Sequence, residues 1–153
     1  MALVTGSSSG LGKASAKALA REGVDAATND RGESRLQDAV TEMREVATSD
    51  VVGQSGDITD PEDVAALVGR TVEESGRFDH LVTSAGCPPT FAPLEPGDED
   101  WYGAFDLLVM SVVRTVREAT PHLRADGGAP SSTSFRKPSR RGPRRTSCRV
   151  RSG

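Results

Sequence analysis

Short apolar, β-branched runs alternate along this chain with longer stretches in which apolar residues recur every three or four positions. The first run is Ala2-Leu3-Val4-Thr5; after a glycine- and serine-rich break, Leu11, Ala14, Ala18 and Leu19 return at helical spacing until Glu22-Gly23 closes the segment. Val24 to Thr28 predicts a second strand. Arg31 to Val46 predicts a second helix, with Leu36, Val40, Met43 and Val46 on one face. Val51 to Gln54 reads as a third strand. Asp60-Pro61-Glu62-Asp63 opens a helix with proline at its first position, and Val64, Leu67, Val68 and Val72 form its apolar side. His80 to Thr83 is a fourth strand, followed by one long helix over Glu99 to Leu123 with Phe105, Leu108, Val112, Val116 and Ala119 aligned.

Four strand–helix alternations joined by short loops predict right-handed βαβ units, hence a parallel sheet covered on both faces. The expected fold class is α/β, a Rossmann-type doubly wound sheet with strand order 3-2-1-4, incomplete on one side. In such a sheet ligand binds at the carboxyl ends of strands one and four, where the winding reverses. The distinctive residues fall there.

The break after the first strand reads Gly6-Ser7-Ser8-Ser9-Gly10-Leu11-Gly12. Gly6 would turn the chain off the strand, Gly10 would let backbone approach a diphosphate, and Gly12 would let helix pack closely on sheet. Amides of the helix's first turn, reinforced by its dipole, would then face the phosphates. The competing P-loop pattern fails at both ends: its first glycine would fall at Ser7 and its magnesium-binding hydroxyl at Ala14.

Composition divides the chain. Residues up to Gly128 hold all 22 acidic groups and 11 basic ones, whereas residues 129–153 hold eight basic groups and no acid. This predicts a dinucleotide-binding domain over 1–128 and a basic tail over 129–153 too poor in apolar residues to pack, hence disordered. An acid-rich, lysine-poor surface fits a protein adapted to high salt. No apolar run approaches the ~20 residues of a membrane span, and no signal peptide is evident, so a cytoplasmic location is expected. Cys87 and Cys148 lack metal-ligand spacing, and nothing supports a disulfide between them. No metal site is expected.

The spacing Thr-Gly-x-x-x-Gly-x-Gly at Thr5 to Gly12 resembles the short-chain dehydrogenase/reductase family, in overall pattern its 3-oxoacyl-carrier-protein reductase-like members, and three further stations add to it. Asp57-Ile58 matches the family's Asp–hydrophobic pair, which implies a carboxylate accepting from the adenine amino group. Thr83-Ser84-Ala85-Gly86 stands where the family has Asn-Asn-Ala-Gly beside the cofactor, with both asparagines replaced. Trp101, Phe105 and Asp106-Leu107 match a Trp, hydrophobic, Asn-Leu pattern, with Asp106 in place of the Asn that supports a proton-relay water; the other reading of Asp106 is a helix-surface carboxylate. The resemblance thus implies cofactor contacts from Gly6, Ser8, Ser9, Gly10, Leu11, Gly12, Asp30, Arg31, Asp57, Ile58, Ser84, Ala85 and Gly86. Asp30 stands where the family's NAD enzymes place a ribose-binding acid, and Arg31 where its NADP enzymes place a phosphate-binding base. A carboxylate repels a phosphate dianion, so the cofactor is NAD or NADP with a lean to NAD. The family's first strand also has several more residues before Ala2.

The family's chemistry needs a Ser to orient the substrate carbonyl and a Tyr-x-x-x-Lys pair to move the proton as hydride arrives. After Gly128 the chain instead runs Ala129-Pro130-Ser131-Ser132-Thr133-Ser134 into Arg, Pro, Ser and Gly, and Tyr102 is the only tyrosine. No catalytic residue is assigned. The codons GCN-CCN-TCN-TCN-ACN-TCN, read one base out of register, offer Ala/Thr, Ile/Val, Ile/Val, Asn and Ile/Val, close to the family's fifth strand. A frameshift near Gly128 is therefore expected. The implied function is a carbonyl/alcohol oxidoreductase in an intact, homo-oligomeric parent acting on a small carbonyl or alcohol, with this chain inactive. The alternatives are a dinucleotide-binding sensor without catalysis, and a nucleic-acid-associated protein using the arginine-rich tail. The tail lacks interleaved aromatics for base stacking, so nucleic acid is not the expected partner.

Overall fold

The computed structural model describes residues 1–88 and 96–125. Four parallel strands, β1 (Ala2–Val4), β2 (Ala26–Asp30), β3 (Val51–Ser55) and β4 (His80–Val82), form one sheet in the order β3-β2-β1-β4. Between them run α1 (Gly10–Arg21), α2 (Glu33–Arg44) and α3 (Pro61–Ser75). After β4 come α4 (Asp98–Phe105), a π-helical stretch over Asp106–Met110 and α5 (Ser111–Ala125).

Alternate residues of a strand face opposite sides, and β1 divides the core that way. Val4 packs with Ala16, Ala20, Leu36, Val40, Met43 and Val51 beneath α1 and α2. Leu3 packs with Ala27, Val68, Phe78 and Ala119 beneath α3 and α5. Gly53 lets α2 lie close on β3, because a Cβ there would stand 3.0 Å from Val40 Cγ2. The Asp60 side chain accepts from Glu62 N–H at 2.8 Å and caps α3 ahead of Pro61.

Three expectations change. In α1 the buried line is Gly12, Ala16 and Ala20, with Leu19 partly covered, whereas Leu11, Ala14 and Ala18 face outward. Small residues are what the close approach of α1 to the sheet admits. β2 starts two residues later than Val24, because its register is set by Ala26 pairing with Ala2 and Val51, and it reaches Asp30. The long helix is not one regular α-helix. Ser111 N–H donates to Asp106 O, five residues back, and this extra residue turns the following face by about 100°. The covered line is therefore Ser111, Thr115 and Ala119 instead of Phe105, Leu108 and Val112, and Trp101, Tyr102, Phe105, Leu108 and Val109 are exposed.

Among the described residues no helix is long and apolar enough to cross a membrane. Cys87 is disulfide-bonded, which the sequence reading did not support; Cys148 lies outside the described residues, as does the whole 129–153 tail with its expected disorder.

Candidate functional site

The carboxyl ends of the four strands lie side by side, and the residues singled out in the sequence gather around them. Gly6 leaves β1 with φ +57°, and a Cβ on it would stand 2.7 Å from the Ser84 carbonyl oxygen. Gly12 is tighter still, since its Cβ would lie 2.3 Å from Gly6 O. The fold of the loop upon itself and upon β4 therefore demands both glycines. Gly10 also has positive φ, but among the described residues a Cβ on it would meet nothing within 4 Å, which marks the open side of the loop. Leu11 stands beside that opening, 84% exposed. Ser9 makes no side-chain capping bond to α1, and no acid occupies its first turn. Among the described residues the positive end of α1 is thus capped by no side chain and no first-turn acid, an arrangement suited to a phosphate.

Thr5 is a site residue that the sequence reading used only as a motif letter. Its hydroxyl donates to Ser84 O at 2.7 Å and accepts from Ser84 N–H at 2.9 Å, so it ties the end of β1 to the end of β4 in both directions. Ser7 does the same toward β2: its hydroxyl donates to Asn29 O at 3.1 Å and accepts from Asn29 N–H at 2.9 Å. The Asn29 amide in turn donates to Gln54 O and Gly56 O. Buried Thr, Ser and Asn flanking the loop could have been read as this bracing, because a buried polar side chain has to find partners.

At the end of β2, Asp30 Oδ2 accepts from Ser8 Oγ at 2.5 Å, and Oδ1 accepts from Gly32 N–H at 2.9 Å and Arg35 Nη2 at 3.2 Å. Arg31 turns the other way and reaches Asp57 at 3.6 Å. Arg35 is absent from the sequence-derived set. Asp57 does not cap α3, since Asp60 does; its Oδ1 instead accepts from Thr59 N–H at 2.9 Å and Thr59 Oγ at 2.7 Å. Burial alone would raise the Asp57 pKa, but the bonds from Thr59 and the Arg31 charge outweigh it and hold the carboxyl below its usual value. Ile58 is buried, which makes it an anchor of the turn; Ser84 and Ala85 are half-buried and Gly86 is exposed. Lys13 points away from the loop to Glu42 on α2 at 2.6 Å, and that bond lowers the Glu42 pKa.

Asp106, the first residue of the π-helical stretch, pairs with Arg114 at 2.6 Å. In a regular helix residues eight apart are offset by about 80° around the axis, whereas one inserted residue brings them within about 20° of each other. The carboxylate is therefore not an unpaired charge.

Over residues 1–130 the sequence matches the family model of the short chain dehydrogenases. The chain belongs to that family. Within the short-chain dehydrogenases it is 31% identical over 129 residues to the 3-oxoacyl-[acyl-carrier-protein] reductase of Staphylococcus aureus, covering 84% of this chain and 52% of that one. Among solved members it resembles the L-sorbose reductase of Gluconobacter frateurii complexed with NADPH and L-sorbose, with TM-score 0.77 and 37% identity over 84% of this chain and 49% of that one. It also resembles the alcohol dehydrogenase of Thermococcus sibiricus complexed with 5-hydroxy-NADP, with TM-score 0.75 and 28% identity over 83% and 54% of the two chains. The chain spans about half the length of the curated relatives it matches.

Proposed function

We propose that residues 1–128 are the dinucleotide-binding part of an NAD(P)-dependent short-chain dehydrogenase/reductase, and that the whole protein transfers hydride between a small carbonyl or alcohol and the nicotinamide. The observation that carries this is the glycine loop: it is clamped to β4 through Thr5 and Gly6, while its Gly10 side and the start of α1 stay open. On this reading the loop from Gly6 to Gly12 holds the diphosphate, with Ser8 and Ser9 beside it and Leu11 against the cofactor. Asp30 and Arg31 meet the adenosine ribose, Asp57 and Ile58 border the adenine, and Ser84, Ala85 and Gly86 line the path to the nicotinamide. The bound cofactor would supply the hydride. Asp30 favours NAD over NADP, although the two solved relatives above carry NADPH and an NADP derivative.

The same proposal takes the protein to be cytoplasmic, its intact form to be a homo-oligomer, and residues 129–153 to be an out-of-frame translation. With Tyr102 as its only tyrosine and no Tyr-x-x-x-Lys pair, this chain binds cofactor without turning over, and that favours a binding-only role as the second reading. Titrating NADH and NADPH fluorescence against the protein should give saturable binding, and the absence of binding to folded protein would sink the proposal. A carbonyl-reduction assay should then read zero. Sequencing the gene beyond the Gly128 codon tests the frameshift, which fails if the alternative frame encodes no Ile/Val-rich strand followed by serines.

A further inference from the structure

Asp30 should repel the 2′-phosphate of NADP(H), and its surroundings contain the group that offsets it. Arg35 lies in the first turn of α2 with its side chain 72% exposed, and its Nη2 donates to Asp30 Oδ1 at 3.2 Å. The guanidinium is folded back across Gly32, where a Cβ would stand 2.8 Å from Nε and 2.9 Å from Nη2. A side chain at position 32 would therefore make the exposed guanidinium shift. Glycine there and the first-turn position of Arg35 together leave room for a positive charge beside the carboxylate. Arg31 is paired with Asp57 instead, at 3.6 Å.

We infer that Arg35 is a specificity-determining residue: it masks the Asp30 charge and offers a guanidinium to a 2′-phosphate arriving beside Asp30. The inference rests on the dinucleotide reading given above. A carboxylate that already accepts from Ser8, Gly32 and Arg35 has little capacity left for ribose hydroxyls, so its preference for NAD is weakened. A guanidinium, by contrast, matches phosphate geometry and needs no deprotonated partner once the phosphate has come in. Asp30 thus sets a preference for NAD, and Arg35 limits it enough for NADP(H) to bind.

The test is fluorescence titration of NADPH and NADH into wild type, Arg35→Ala, Arg35→Gln and Arg31→Ala, with circular-dichroism melts to show that each is folded. Loss of one charge-assisted contact, with Asp30 unmasked, should weaken NADPH binding about tenfold in both Arg35 variants. NADH binding should hold or tighten. Arg31→Ala should cost NADPH affinity less than either. Equal weakening of both dinucleotides, no change, or an NADPH loss confined to Arg31→Ala would overturn the inference while leaving the cofactor reading intact. Binding of neither dinucleotide by folded wild type would show at the first step and overturn both.

Discussion

A methyl group added at Gly12 would stand 2.3 Å from Gly6 O and 3.0 Å from Thr5 O, both backbone atoms that cannot rotate aside. Gly10 is different: its φ of +58° strains any other residue, but among the described residues its Cβ would meet nothing within 4 Å. The two alanine variants should therefore separate steric from conformational cost. Gly10→Ala is expected to lose about 1–2 kcal/mol, the penalty of a left-handed L-residue. Gly12→Ala must move the loop or the helix, and about 3 kcal/mol or more is expected. Urea denaturation of both measures the difference, and equal losses would show that the loop relaxes around Gly12. At this scale the glycine pattern was legible, because spacing alone carries it. Arg35 was not, since its importance depends on a guanidinium folding back over Gly32, which no spacing rule encodes.

Between α3 and β4 the chain turns through Arg77, Phe78 and Asp79, with Phe78 buried against the lower core. Arg77 grips the Asp79 carboxylate through Nε at 2.8 Å and Nη2 at 2.7 Å. That bond, working against burial and helped by the amino group of Met1, brings the Asp79 pKa down to about 2 from 3.8. A folded-state pKa below the unfolded one contributes stability that is complete above the unfolded value and disappears as pH falls through the folded one. Asp79→Asn should thus be less stable than wild type by a constant gap above about pH 5, and the gap should close between about pH 4 and 2. Thermal melts across that range check it, and a gap that persists at the acid end would assign the loss to packing. Among the helices, the periodicity of α2 and α3 placed Leu36, Val40, Met43, Val64, Leu67 and Val68 correctly because each helix is regular and covers one wide apolar face, but α2 ends at Arg44 and leaves the expected Val46 exposed. It misplaced α1, where alanines and a glycine fit the narrow gap that leucines cannot, and the last helix, where the inserted π residue breaks the phase at Asp106.

Across the whole molecule, the imbalance of 22 acidic against 11 basic groups before residue 129 sets up self-repulsion that salt screens. Raising salt from about 0.1 M to about 1 M should raise the melting temperature of the domain. A flat response would show that pairs such as Lys13–Glu42 and Arg35–Asp30 already balance the surface locally. The sequence by itself determined the alternation of strand and helix, the parallel order β3-β2-β1-β4 and the place of the loop at the switch point. The alternation and the loop follow from hydrophobic period and glycine spacing, which are local properties, and the order from the Rossmann-type winding that the alternation with a glycine loop after β1 implies. The tertiary structure alone decided the partners: Thr5 with Ser84 across 79 positions, Ser7 with Asn29, Arg31 with Asp57 and Arg35 with Asp30. The physical reason is that a hydrogen bond or ion pair depends on angstrom-scale approach between segments distant in the chain. That approach exists only once the sheet has brought the four strand ends together.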